Sequence, residues 1–320
     1  MDDPSASRPE PIPEQGFERK LVTDLLSAAV TEQRRARRWG IFFKSLLAVY
    51  LAILLVLSLS NGLLPTSVSG AGHTALIDIE GVVGSDPKAS ADNVVTGLRE
   101  AFEDATTKGV ILRINSPGGS AVHSGYINNE VYRLRAKYPD TPVYAVITDV
   151  CTSGGYYIAV AANRIFADKA SLVGSIGVAM RGFGFVGTLD RLGIERRLWT
   201  AGEHKSFLDP FSPAKPEDVD HLKGVLSQVH RQFVEVVKKG RGERLKDDPS
   251  LYSGLVWTGE EGVALGLVDA LGSSSYVARE VIGAEDIVDF THQEPLLERL
   301  SDGLGGAVAR VLARSVPVIE

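Results

Sequence analysis

A run of residues without charge divides this chain into two unlike parts. No Asp, Glu, Lys or Arg occurs from Ser45 to Leu59, inside a longer apolar stretch at 41–64, IFFKSLLAVYLAILLVLSLSNGLL. A helix of about 20 apolar residues crosses a hydrocarbon core of ~30 Å, so 41–64 reads as one transmembrane helix. Lys44 lies near its start, where the aliphatic stem can carry the ammonium back to water. Roughly forty residues precede the run and no compact Ala-x-Ala site follows it, although TSVSGAG at 66–72 is made of small residues. A retained signal anchor is therefore expected rather than a cleaved leader. Arg34, Arg35, Arg37 and Arg38 cluster before the run, and the next basic residue after it is Lys88. That asymmetry puts the N-terminus in the cytoplasm and everything from about residue 65 on the far side. In a bacterium this is a single-pass protein of the inner (cytoplasmic) membrane with a periplasmic or extracytoplasmic domain.

The flanks follow from composition. Residues 1–16 are rich in Pro, Ser and acid and nearly free of large apolar side chains, so disorder is expected there. Residues 17–38 could form a short polar helix. Segment 1–40 is thus a cytoplasmic N-terminal piece, 65–73 a linker, 74–290 the globular domain, and 291–320 a C-terminal segment to which the sequence assigns no role. The net charge of −6 and pI of about 5.6 argue against nucleic acid as a partner. The lone cysteine, Cys151, cannot form an intramolecular disulfide or a Cys-rich zinc site. It reads as a small buried hydrophobe at a strand end.

From Thr74 onward, strand and helix patterns alternate. Strands are expected at 74–83, 109–116, 142–150 and 164–168. Helices are expected at 91–108, 121–138 and 153–162, then, after a loop near 201–215, at 216–239. A further α/β stretch lies at 256–290. This alternation predicts an α/β fold with a mostly parallel sheet and helical crossovers.

Two strand ends carry the chemistry. INSPGGS, 114–120, runs from an apolar strand into Pro-Gly-Gly. Glycines at the carboxyl end of a parallel strand can bring backbone N–H groups close to a ligand, including a tetrahedral oxyanion. Pro-Gly-Gly is also an ordinary turn. DVCTSGGYYIAVAAN, 149–163, ends a second strand and opens an Ala-rich helix at Ser153. The serine reads either as an N-cap or as a nucleophile at the positive end of a helix. Two glycines at the start of that helix cost about 1 kcal/mol each, which favours a need for close backbone approach. Position 151 is Cys, so this is not the Gly-x-Ser-x-Gly elbow of α/β-hydrolases. None of the six histidines has an evident Asp partner in a recognisable order, and a Ser–Lys pair is an alternative among the variants of the triad.

INSPGGS, TSGGYYIA, SLVGSIGV (171–178), TAGEHKSFLDPFSP (200–213) and WTGEEGVALGLVDALG (257–272) occur in that order. Together they resemble the signal peptide peptidase A family of bacterial serine proteases, in its short single-repeat form, over roughly 74–285. The resemblance implies a Clp protease/crotonase-like fold, a mostly parallel sheet with helices preceded by one N-terminal transmembrane helix. By position it implies Ser153 as nucleophile, Lys205 as general base, and Ser175 as the serine that orients the lysine. It implies Gly154, with Gly118 or Gly119, as oxyanion-hole donors, the choice within the pair staying open. It implies no metal and no cofactor. Substrates would be remnant signal peptides and similar hydrophobic membrane-derived segments, with Tyr156, Tyr157 and Phe207 near enough in sequence to line a groove. Short forms assemble into a dome-shaped ring, so a homo-octamer is implied, with Lys205 of one chain serving Ser153 of its neighbour as one option. Three rivals are a crotonase-like acyl-CoA enzyme, which the topology opposes, a catalytically inactive scaffold for membrane proteins, and a related protease that cuts membrane-protein tails.

Overall fold

Residues 75–79 are apolar at every position but Asp78, the pattern of a strand covered on both faces. In the computed structural model, which describes residues 32–35, 37–55 and 72–292, they form β1 (His73–Glu80), one strand in from an edge of an eight-stranded sheet. Its neighbours are β2 (Thr107–Ser116) and β8 (Ile287–Asp289), both parallel to it. Beyond β2 comes β3 (Val143–Thr152), which pairs in parallel with β4 (Arg164–Ala167) along its first half and β5 (Leu172–Gly174) along its second. β6 (Val256–Thr258) closes one edge antiparallel to β5, and β7 (Ala270–Leu271) extends β4 in parallel. The mostly parallel α/β architecture expected from the alternating pattern is the one observed.

Crossover helices cover one face. α2 (Ala91–Glu103) and α3 (Ala121–Lys137) begin where Ser90 and Ser120 accept the N–H groups of Asn93 and His123. Their apolar stripes, among them Val94, Leu98, Phe102, Ile127, Val131 and Leu134, bury against Ile77, Leu112, Ile114 and Ile147 of the sheet. The short α4 (Gly154–Ala159) comes directly after β3. The opposite face is thinner: Leu76, Ile111, Val146 and Phe166 pack under Val277 and Ala278.

Several boundaries differ from expectation for identifiable reasons. The first crossover helix stops at Glu103 rather than 108, because the Asp104 carboxylate takes both the N–H and the hydroxyl of Thr106 and turns the chain into β2. β3 runs on to Thr152 because Val150–Thr152 find a second partner in β5, a strand too short to show in the sequence. α5 (Val186–Leu192) is likewise absent from the sequence pattern, since it has no buried residue that would give it an apolar stripe. α6 (Pro216–Arg241) matches the long helix opened by Pro216, Glu217 and Asp218. It crosses the end of α4 closely: a methyl group at Gly240 would sit 2.2 Å from the Val160 carbonyl oxygen.

A separate helix, α1 (Glu32–Leu55), is 24 residues long with mean hydropathy 1.6, long and apolar enough to cross a membrane. The last part of the expected span, 56–64, the linker up to 71, the segment 1–31 with its expected disorder, and 293–320 lie outside the described residues.

Two predictions test this packing. Gly240→Ala forces α6 off α4, and a thermal melt should show a loss of about 1–3 kcal/mol, the usual range for overpacking. Glu130 of α3 ties α2 to α3 through Arg99 and is held in place by Arg133 of its own helix, each arginine donating at 2.7 Å. Chiefly the Arg133 hydrogen bonds, with help from Arg99 and against its own burial, hold its carboxyl down to about 2 from 4.5. A folded-state value below the unfolded one stabilises above the unfolded value and is lost as pH falls through the folded one. Stability should therefore decline between about pH 4.5 and pH 2, and Glu130→Gln should flatten that part of an acid denaturation curve.

Candidate active site

Three neighbouring chain segments end at one rim of the sheet. β2 runs into Pro117-Gly118-Gly119, β3 into Ser153, and β5 into Ser175. The loop after β1 completes the rim, where Val83 bridges Gly119: the Val83 N–H donates to Gly118 at 2.8 Å and the Ser120 N–H donates to Val83 at 2.9 Å.

Ser153 has φ 51° and ψ −121°, a backbone region that L residues rarely occupy. It is held there because its N–H donates to the Gly174 carbonyl at 2.9 Å while the Tyr157 N–H donates to its own carbonyl at 2.9 Å, so β5 and α4 grip the residue from both sides. Its side chain makes no cap bond to α4. The N-cap reading of Ser153 thus fails on geometry, since an N-cap has extended backbone and an oxygen turned toward the helix. Ser175 is also left-handed, at φ 52°, and its N–H donates to Leu255 at 2.7 Å. Only one other non-glycine among the described residues, Leu208, has positive φ. Such strain costs of order 1–3 kcal/mol per residue and concentrates at functional sites.

The glycines are packed against the serine. Gly118 and Gly119 have φ 100° and 151°, and a methyl group at Gly118 would stand 2.7 Å from Ser153 Cβ. A methyl at Gly154 would meet Ser124 Oγ at 2.5 Å and the Gly119 nitrogen at 3.2 Å. The pair left open by the sequence is separated here. The Gly118 N–H is taken by Ser116 Oγ at 3.1 Å, whereas the Gly119 N–H has no acceptor among the described residues. Gly119, Ser153 and Gly154 line a cavity of ≈ 160 Å³ together with Tyr157, Gly177–Ala179 of the segment after Ser175, and Val229, Gln232 and Phe233 of α6.

Lys205 is not in that cavity. It sits exposed in a turn between Gly202 and Pro210, and its ammonium has no hydrogen bond or ion pair among the described residues. Its neighbour His204 is held by Asp218 at 2.9 Å, an Asp partner that the sequence did not reveal because 14 residues and a loop separate the two. Of the aromatic residues suggested for a groove, Tyr157 lines the cavity. Tyr156 is fully buried with its hydroxyl donating to Leu267 at 2.8 Å, and Phe207 stacks edge-on against His221. Cys151 is buried between β2 and β5, which pushes its thiol pKa up and leaves it protonated. Sequence reasoning missed the α6 wall, which only tertiary packing brings near Ser153. It also read Ser116 only as the last residue of the strand that runs into Pro-Gly-Gly.

Residues 135–287 match the model of peptidase family S49. The matched stretch runs from the last turn of α3 to the start of β8, and the domain that carries it is called the S49 domain. The chain is 40% identical over 220 residues to a protein of Brucella melitensis named "Na(+)/H(+) antiporter NhaA", covering 68% of this chain and 30% of that protein. It is 34% identical over 182 residues to a protein of Enterococcus faecium named "Putative signal peptide peptidase SppA", covering 57% of this chain and 52% of that one. Protease 4 of Salmonella typhi is 28% identical over 320 residues, covering 94% of this chain and 48% of its own length. The chain therefore spans between about a third and a half of these relatives. The antiporter name belongs to a protein of which less than a third is matched, and it carries no function to the S49 domain.

The strain at Ser153 gives a stability test. Ser153→Gly relieves the left-handed backbone while Ser153→Ala keeps it, so the glycine variant should be the more stable by about 1 kcal/mol in a thermal melt, after its own entropic cost.

Proposed function

We propose that this S49 domain is a serine endopeptidase and that Ser153 is its nucleophile. The observation that carries the reading is the strained Ser153 beside a free Gly119 N–H at the mouth of one cavity. The match to the S49 family model and the protease names of two relatives support it. In this mechanism Ser153 Oγ attacks a peptide carbonyl, its proton passing to a neutral lysine. The N–H groups of Gly119 and Gly154 receive the oxyanion. The protonated lysine then donates to the departing amine, and water releases the acyl group with the lysine again as base.

Lys205 is the proposed base. In general a lysine acts as a base near neutral pH only where burial away from anions favours the neutral amine. Its distance from the cavity in one chain supports delivery from an adjacent copy in a homo-oligomer, an octameric ring being the expected form. Ser175 is the proposed acceptor that orients it. The apolar walls of the cavity, Tyr157, Val178, Val229 and Phe233, suit hydrophobic peptides such as remnant signal sequences. α1 is the proposed single-pass anchor in a bacterial inner membrane, with the N-terminus cytoplasmic and the domain outside.

The test is cleavage of casein and of a signal peptide by the full chain in detergent. Ser153→Ala and Lys205→Ala should each be folded and silent. Mixed oligomers of the two variants should regain part of the wild-type rate if Lys205 acts across chains, and none if it acts within its own. A folded wild type with no activity on either substrate would move the reading to a scaffold.

A further inference from the structure

The loop between β2 and α3 holds few polar backbone groups, and almost all are accounted for. Pro117 has no N–H. The Gly118 N–H goes to Ser116 Oγ, the Gly118 carbonyl accepts from Val83, and the Ser120 N–H goes to Val83. The Gly119 N–H is the one donor of this loop left over at the cavity, with no acceptor among the described residues.

Two buried hydroxyls enforce this arrangement. Ser116 is fully buried, and its Oγ donates to the Gly81 carbonyl at 2.6 Å while accepting the Gly118 N–H at 3.1 Å. It therefore joins the end of β1 to the loop through a single atom. Its Cβ also lies 3.3 Å from where a methyl on Gly155 would be, so it is flush against the helix that starts after Ser153. Thr152, 7% exposed, donates from Oγ1 to the Pro117 carbonyl at 3.1 Å and is the residue immediately before the nucleophile. Only a hydroxyl can donate and accept at once in so small a space, which is what position 116 demands. An apolar residue there would strand a buried carbonyl and free the Gly118 N–H to compete for the site.

We propose that Ser116 and Thr152 are positioning residues that fix the Pro117–Gly119 loop against Ser153 so that the Gly119 N–H points at the developing oxyanion. The proposal rests on the serine endopeptidase reading above. Neither hydroxyl touches substrate. They act through the loop, Ser116 from the β1 side and Thr152 from the β3 side. Loss of either leaves the groove walls on α6 and the Val178 segment unchanged, so ground-state binding is preserved while the transition state loses an aligned donor.

The experiment measures steady-state cleavage of a fluorogenic apolar peptide by the full chain in detergent, with inhibition by the matching peptide aldehyde. The aldehyde forms a tetrahedral adduct on Ser153 whose oxygen needs the same donor. Ser116→Ala and Thr152→Val should lower kcat about tenfold or more with KM within twofold, and weaken the aldehyde in proportion to kcat/KM. Thr152→Ser, which restores the donor, should recover most of kcat. Thr152→Val keeps the side-chain shape and loses one hydrogen bond, so it carries the test if Ser116→Ala does not fold. A lower melting temperature with unchanged kcat per folded enzyme would assign both residues to stability alone and overturn the proposal. Equal loss from Thr152→Ser and Thr152→Val would overturn it as well. Wild-type activity that disappears in Ser153→Ala secures the underlying reading independently; a silent wild type sinks both.

Discussion

The architecture of the site depends on an interruption in the register of β3. Ile114 opposes Ile147, but Ser116 opposes Cys151, so a step of two residues on β2 is matched by a step of four on β3. The surplus backbone at Thr148–Val150 would be unpaired, and side chains satisfy it instead. Asn115 Oδ1 accepts the Val150 N–H at 3.3 Å and its amide donates to Asp149 at 3.1 Å. Thr148 Oγ1 donates to Ile114 at 3.3 Å, and Ser171 Oγ donates to the Thr148 carbonyl. A bulge of this kind bends a strand and re-aims the residues beyond it. Here it lets β3 leave β4 after Ile147 and take β5 as partner from Val150. Ser153 is carried to the rim beside Gly118, and Ser175 arrives one strand away.

Strain and rigidity at this rim are two sides of one arrangement. A serine in the left-handed region persists only where its surroundings over-determine it. β5 takes its N–H, α4 takes its carbonyl, and Gly118 presses against its Cβ. The side-chain oxygen is the one part of the residue left without a structural duty. The neighbouring loop is treated in the same way, with the N–H groups of Gly118 and Ser120 engaged and that of Gly119 spare. A loop whose backbone donors are committed but for the one that faces the cavity is preorganised: little has to move when charge develops.

Around this rigid centre the S49 domain is less complete. The Ser153 cavity is walled by α6 and the segment after Ser175, whereas the loop carrying Lys205 is exposed and its ammonium has no partner among the described residues. Two large apolar side chains in the stretch before that loop, Phe183 at 82% and Trp199 at 83%, are exposed as well.

Much of this could be read from the residues alone. Apolar strands ending in Pro-Gly-Gly and in Ser-Gly-Gly pointed to a mostly parallel sheet and to the two loops that meet at its rim, because strand periodicity and glycine placement are local properties. The apolar run before residue 64 announced a span for the same reason, as length and hydropathy need no tertiary context. The sequence could not show which of the Gly118 and Gly119 N–H groups is left free among the described residues, since that depends on which one the Ser116 hydroxyl has already taken. Nor could it show the three-residue strand β5, the bulge opposite Asn115, the α6 wall, or the His204–Asp218 pair. Each of these joins segments far apart in the chain, and their pairing is decided by packing of the whole sheet rather than by any local pattern.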